Sequence, residues 1–178
     1  IDGNSPDTYS DNGYVIVYTT WTARCEDNDN TGYSGTNYVT GHIPGAIFLD
    51  TYSIENGPNS EAGDGYANYE EGNAKDIADL QNLFAGMGIT SDTTVIVYAD
   101  DEIAMMTAGR MAWSMLLAGI NDVRILNGGY SAWVQAGYSV ETIANEWPVT
   151  PVTFGGTGNP QYLAEMTDIQ AVIDGTDS

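Results

Sequence analysis

The chain has 178 residues, 42% of them hydrophobic, which is enough for one domain with a full core and a tail but too few for two such domains. Its 25 acidic residues against 4 lysines and arginines give a formal net charge of -21, which excludes nucleic acid as a partner and suits an exported or periplasmic location slightly better than the cytoplasm of a salt-adapted organism. The single cysteine, Cys25, excludes an internal disulfide, and no apolar run is long enough to span a membrane.

The chain opens with a leader and a strand. Residues 1–13 are nearly all turn formers and are predicted to be irregular. The next five residues, YVIVY, form a β-branched and aromatic run that predicts a buried central strand. The domain proper is therefore expected to begin at Tyr14.

The polar stretch after this strand carries part of a calcium-binding pattern. Asp27, Asp29 and Thr31, followed by Gly32, match the first half of a calcium loop. The twelfth position counted from Asp27 is Tyr38, where such a loop needs a glutamate that binds through both oxygens. Two interpretations stay open: a weak calcium site formed by Asp27, Asp29 and Thr31 (the calcium triad), or a solvated acidic loop. We predict no other cofactor.

The first compact motif is the decapeptide GHIPGAIFLD, which begins at Gly41. A turn containing Gly41, His42, Pro44 and Gly45 (the signature turn) leads into a short buried strand, predicted over residues 46–49. After a long aperiodic stretch, an amphipathic helix is predicted to end near residue 88. Its apolar face is formed by Ile77, Leu80, Leu83, Phe84 and Met87.

The centre of the chain, residues 94–133, holds a strand, a loop, a helix, a strand and a second helix in succession. The strands are predicted at 94–98 and 123–126, and the Ala-, Met- and Leu-rich segment 103–117 between them is predicted to be helical. Parallel strands need a crossover of this kind. The sequence therefore predicts an α/β fold, with a mostly parallel sheet covered by helices on both faces.

Two motifs, GHIPGAIFLD and VRILNGGYSAWVQAG, resemble the signature turn and the closing motif of the rhodanese family of sulfurtransferases. They stand in the order and at about the spacing that the family requires, and the resemblance covers residues 14–141. It implies a rhodanese-like α/β domain over residues 14–146, with thiosulfate:cyanide sulfur transfer as the family activity. In this family the turn is mainly architectural, so we assign His42 no catalytic role.

The same resemblance identifies the loop that follows the strand 94–98 as the family's active loop. In active members it opens with a nucleophilic cysteine, whereas this chain has Ala99 there, followed by Asp100, Asp101 and Glu102. Three carboxylates repel an anionic donor such as thiosulfate. The resemblance therefore implies that this chain has no catalytic residue and is most like the non-catalytic first repeat of a tandem-repeat sulfurtransferase.

Residues 147–178 are predicted to be a connector and the first helix of a second repeat. Thr167 to Gln170 form a capping-box pattern that opens a helix to about Ile173. We expect this helix to pack on its own domain, across a homodimer, or against a second repeat or companion fragment. Two functions remain open: support of a catalytic repeat absent from this chain, or a non-enzymatic binding or scaffold role.

Overall fold

The computed structural model describes residues 13–20, 36–56, 73–100, 104–146 and 151–176. Within these ranges the strands are β1 (Tyr14–Tyr18), β2 (Ile47–Phe48), β3 (Thr94–Tyr98) and β4 (Asp122–Ile125). The α-helices are α1 (Thr36–Thr40), α2 (Ile77–Gly86), α3 (Met105–Ala118), α4 (Gly129–Gln135) and α5 (Met166–Asp174). Short 3-10 helices lie at Thr51–Ile54 and Pro160–Tyr162.

The strands form one parallel sheet in the order β2-β1-β3-β4. The register places Tyr18, the last residue of β1, opposite Tyr98, the last residue of β3. Because the strands are parallel, the loops that follow β1 and β3 leave the sheet side by side at its carboxyl edge. The predicted parallel α/β architecture is confirmed.

Alternate residues of the central strands supply two core clusters, one on each face of the sheet. Val15, Val17, Val95 and Val97 point to one face, where residues of α2 and α3 pack against them. The other face carries a smaller cluster to which α1, the signature turn and α4 contribute. Its buried members are Ile16, Tyr18, Tyr38, Ile43, Ala46 and Tyr98. Helices therefore cover both faces, as predicted.

The connector after α4 packs on the end of α3. Gly119 ends α3 in a left-handed conformation with φ 105°, and its N–H bonds the last carbonyls of the helix. Asn159 adds two further hydrogen bonds, from its N–H to the Leu117 carbonyl at 2.8 Å and from Nδ2 to the Leu116 carbonyl at 2.8 Å. The connector thus satisfies carbonyls at the end of α3 that have no partner within the helix.

The helix α5 forms close to its predicted position, but its cap differs from the prediction. The capping box joins Glu165 and Asp168, and the Glu165 N–H donates to Asp168 Oδ2 at 2.7 Å, so the helix begins one residue before Thr167. Ile169 and Ile173 are 57% and 71% exposed. Packing of this helix on its own domain is therefore absent from the described structure.

The strand β4 lies at one end of the described sheet and carries a charge pair. Arg124 donates from Nε and Nη2 to the two carboxylate oxygens of Asp122, both at 2.8 Å. The Arg124 side chain is 66% exposed and the Asp122 side chain 39% exposed, and this access to solvent limits the contribution of the pair to stability.

Candidate functional site

The candidate site begins where β3 ends at the carboxyl edge of the sheet. Ala99 is fully buried, and Asp100 is partly exposed beside it. The N–H groups of Tyr130 and Ser131, in the first turn of α4, donate to the carbonyls of Ala99 and Asp100, both at 2.9 Å. The first turn of α4 therefore fixes the start of the loop. Asp101 and Glu102 lie outside the described residues.

The absence of a side chain at Gly129 allows α4 to approach the loop this closely. Its φ of 59° is left-handed, and a Cβ atom there would overlap the carbonyl of Ala99. An L-residue at this position would meet both conformational strain and a backbone clash. The Gly-Gly pair of the closing motif thus has a direct structural reason next to the candidate site.

The Asp100 carboxylate is held by the sheet. Tyr18 donates from its hydroxyl to Asp100 Oδ1 at 2.8 Å, across the carboxyl ends of β1 and β3. Burial, and then the charge of Asp100, raise the pKa of the Tyr18 hydroxyl well above its ordinary value, so the hydroxyl stays a donor. A carboxylate is therefore fixed one residue after Ala99, at the carboxyl end of β3.

Two further tyrosines connect the site to the signature turn. Tyr98 accepts a hydrogen bond at its hydroxyl from the Ile43 N–H at 3.0 Å, and Tyr38 donates from its hydroxyl to the Ala46 carbonyl. Burial raises the pKa of both hydroxyls. We refer to Tyr18, Tyr38 and Tyr98 as the three buried tyrosines. All three remain neutral at physiological pH.

The signature turn packs into this aromatic cluster. Gly41 is buried, and a Cβ atom on it would overlap the hydroxyl of Tyr130. Gly45 has a left-handed φ of 77°, and its N–H donates to Glu141 Oε2 at 2.9 Å. Pro44 is partly buried between these two glycines, and His42 is fully buried. The signature turn therefore packs against Tyr130 of α4 and against Glu141, which follows the closing motif.

A small cleft lies at the start of α3, between α3 and the 3-10 helix that follows β2. It is lined by Thr51, Glu55, Met106, Thr107 and Arg110. Arg110 donates from Nε to Glu55 Oε1 at 3.3 Å, and Thr107 donates from its hydroxyl to the Ala104 carbonyl at 2.6 Å. The arginine charge is thus already partly balanced by a carboxylate. Met106 is 66% exposed at the mouth of this cleft.

No metal site is found in the part of the chain that the structure describes. There, no three side chains among His, Cys, Asp and Glu are grouped so that they could hold an ion. The calcium triad and Cys25 lie outside the described residues, so the calcium interpretation stays a prediction. Among the described helices, none has the length and apolarity needed to cross a membrane.

The structure places Ala99 and Asp100 at the strand end where the sequence predicted the candidate site. The sequence did not predict Tyr18 as the partner of Asp100. That contact depends on the register of β1 and β3, which places the two strand ends at the same level and which no local sequence pattern encodes. The contacts of Glu141 with the signature turn also had no signal in the sequence, since no short-range spacing relates the two segments.

The described chain has an open parallel sheet with helices on both faces, and a loop at the carboxyl edge of this sheet is fixed by the Gly-Gly start of α4. The family model described as "Rhodanese-like domain" matches residues 24–136. The chain belongs to this family.

Several relatives of this chain are named thiosulfate sulfurtransferases. The chain is 39% identical over 143 residues to thiosulfate sulfurtransferase YnjE of Escherichia coli, covering 79% of this chain and 29% of that protein. It is 31% identical over 126 residues to thiosulfate sulfurtransferase of Bos taurus, covering 71% of this chain and 39% of that protein. The crystal structure of YnjE superposes with a TM-score of 0.67 at 30% identity, covering 89% of this chain and 32% of that chain. This chain thus spans about a third of the length of these relatives.

Proposed function

We propose that this chain is a non-catalytic rhodanese-like domain of a longer thiosulfate sulfurtransferase-type protein, in which it supports a catalytic repeat. The observation that carries the proposal is the buried methyl group of Ala99 at the head of the loop. Sulfur transfer through a persulfide needs a thiolate at this position, and a methyl group cannot form one. The loop is still hydrogen-bonded to the first turn of α4, although it lacks the cysteine sulfur that would carry the transferred sulfur atom.

The fixed carboxylate of Asp100 supports the same conclusion. It accepts the Tyr18 hydroxyl at 2.8 Å and therefore stays next to the position that the transferred sulfur would occupy. A negative charge there repels thiosulfate and raises the pKa of any thiol introduced beside it. This site is consequently unsuited to the anionic donors on which the named relatives act.

The outer surface of α5 supports the presence of a companion repeat. The apolar side chains of Met166, Ile169, Val172 and Ile173 are between 57% and 88% exposed. Burying each aliphatic side chain contributes about 1.5 to 3 kcal/mol, so covering this surface is worth several kcal/mol. Exposed aliphatic residues grouped on one short helix are typical of an interaction surface.

The segment that leads into α5 is hydrogen-bonded to the domain. Trp113 on α3 donates from Nε1 to the Tyr162 carbonyl at 3.1 Å, just before α5 begins. The Ser91 N–H donates to the Phe154 carbonyl at 2.9 Å, and Phe154 is buried in the core. A second repeat that contains α5 would therefore start at a defined place beside α3. In this proposal residues 14–146 form the present domain and residues 147–178 lead into the next.

The first experiment measures thiosulfate:cyanide sulfurtransferase activity of the isolated chain and of its Cys25→Ser variant. We expect no activity from either protein, with an active rhodanese as the positive control. Turnover that survives Cys25→Ser, or a persulfide detected on Cys25 by mass spectrometry, would contradict the proposal. The intact parent protein should be active, and an inactive intact protein would instead favour the binding or scaffold function.

The second experiment tests the companion repeat by backbone hydrogen exchange. Amides of α5 should exchange rapidly in the isolated chain and at least about tenfold more slowly in the intact protein, because docking protects the helix. Amides of α4, which is already packed in the present domain, serve as the internal control and should not change. Equal exchange of α5 in both proteins would show that no repeat covers it. Light scattering on the isolated chain distinguishes a homodimer, which would protect α5 without a second repeat.

A further inference from the structure

The connector between α4 and α5 has the composition of a flexible linker. Its described part, residues 151–162, reads PVTFGGTGNPQY, with three glycines and two prolines. Clusters of glycine, proline, threonine and asparagine are typical of loops, and glycine-rich linkers are flexible. In the structure, however, this segment is attached to the domain at intervals of two or three residues.

The first half of the segment is attached to α2 and to the turn before β3. The Val152 N–H donates to the Ala85 carbonyl at 3.0 Å, and the Phe154 carbonyl accepts the Ser91 N–H at 2.9 Å. Phe154 is only 7% exposed and belongs to the core cluster that residues of α2 and α3 form on one face of the sheet. The segment thus contributes a side chain to the core of the domain.

The second half of the segment is attached to α3. Asn159 makes its two hydrogen bonds to carbonyls near the end of this helix, and Trp113 donates from Nε1 to the Tyr162 carbonyl. The Arg110 guanidinium lies over the Trp113 ring, 4.8 Å from its centroid, and is hydrogen-bonded to Glu55. The last attachment point of the segment is therefore an indole that is itself held in place.

Two glycines allow the segment to lie this close to the domain. A Cβ atom on Gly156 would lie 2.5 Å from the Cβ of Ser91, and one on Gly158 would overlap the side chain of Ile77. Neither glycine has a left-handed φ. Glycine is therefore needed at these two positions for space and not for backbone conformation.

The attachment to the domain stops at Tyr162. Leu163 is 44% exposed, and the two residues after it are exposed as well. From Glu165 onward the hydrogen bonds of the described structure join α5 to itself, beginning with the bond from the Glu165 N–H to Asp168. Three exposed residues thus separate a segment bound to the domain from a helix that is capped internally.

We propose that residues 151–162 form a strap (the connector strap) that folds as part of the present domain and fixes the position at which α5 begins. Any change in the orientation of α5 relative to the domain then takes place at residues 163–165 (the hinge segment). A unit that follows α5 starts from a point set by α3 and not from the end of a loose tether. The strap is a property of the domain alone, and it does not depend on the presence of a catalytic repeat.

The first test is backbone hydrogen exchange on the isolated, unmodified chain. After correction for intrinsic rates, the Val152 and Asn159 amides should exchange at least about a hundredfold more slowly than the Ala164 amide in the hinge segment. Equal rates would overturn the connector strap, and slow exchange at Ala164 would overturn the hinge segment. These amides are compared within one protein that lacks a companion repeat. Their rates therefore stay the same whether the proposed supporting function is right or wrong.

The second test uses the sign of a stability change. In a loose linker, an unstrained glycine-to-alanine substitution is neutral or stabilising, because it reduces the freedom of the unfolded chain. In the connector strap the new Cβ of Gly156→Ala meets Ser91, so the unfolding equilibrium constant measured in urea should rise about tenfold. The matched control is Gly86→Ala at the end of α2, where a Cβ has no neighbour within 4 Å and the constant should not rise.

A compensating substitution identifies the contact. In a Ser91→Gly background the obstructing Cβ is absent, so Gly156→Ala should change the unfolding equilibrium constant by less than about threefold. A Gly156→Ala variant that is as stable as the Gly86→Ala control would overturn the proposal. A loss of stability that persists undiminished in the Ser91→Gly background would also contradict it, because the strap would then not lie against this residue.

Discussion

Substitution of Gly129 tests whether the first turn of α4 fixes the candidate loop. In Gly129→Ala the new Cβ meets two obstacles: a left-handed φ of 59° and the carbonyl of Ala99. The conformational cost is about 1 to 2 kcal/mol. Relief of the clash requires the loop and α4 to separate, which weakens the hydrogen bonds from Tyr130 and Ser131 to the loop carbonyls, at about 1 kcal/mol each. The expected total is about 3 to 4 kcal/mol.

Gly137 provides a matched control in the same region. It has a similar left-handed φ of 77°, but a Cβ atom there would have no neighbour within 4 Å. Gly137→Ala should therefore carry only the conformational cost, about 1 to 2 kcal/mol. For a chain of this size the two variants should lower the melting temperature by about 10 °C and about 4 °C. Urea unfolding should give the same ranking, and equal losses would refute the fixed contact between α4 and the loop.

Three further predictions concern the site, the aromatic cluster and the metal. Ala99→Cys should give at most weak thiosulfate:cyanide transfer, because the position is buried and adjacent carboxylates repel the donor, and near-normal turnover would contradict this. The three buried tyrosines should make the fold less stable above about pH 10, where unfolded tyrosines release protons that the folded ones retain. Alkaline melts with ultraviolet detection of phenolate test this, and phenolate that forms before unfolding would be the opposite result. A working calcium triad should give a melting temperature that rises in millimolar calcium and falls with chelator, whereas indifference would leave the solvated-loop interpretation.

Hydrophobic periodicity was sufficient to predict the elements that build the core. The runs 14–18 and 94–98 have strand length and β-branched composition, and both are strands in the structure at the same bounds. The apolar segment between β3 and β4 is too long for anything but a helix, and α3 forms there. The local hydrophobic pattern is enough to predict such elements, because a strand or helix with an apolar face has to bury that face in any fold.

Contacts between segments far apart in the chain could not be predicted from the sequence alone. The bond from Tyr18 to Asp100 spans 82 residues and depends on the register of two strands, which no local pattern encodes. The capping box of α5 was predicted from Thr167, but the helix uses Glu165 because the carboxylates of Glu165 and Asp168 can each accept a backbone N–H. Helix ends are the least certain part of a pattern, since one residue more or less hardly changes the apolar face.

The charge pair on β4 has a consequence for how the protein behaves at high concentration. A strand at the end of a sheet leaves backbone donors and acceptors that another molecule can pair with, and short, charged edge strands discourage such pairing. The strand β4 has 4 residues, and Arg124 and Asp122 both stand on it with exposed side chains. A chain that added its own strand here would have to strip water from an ion pair. The described edge is thereby protected against the strand-by-strand growth that leads to aggregation.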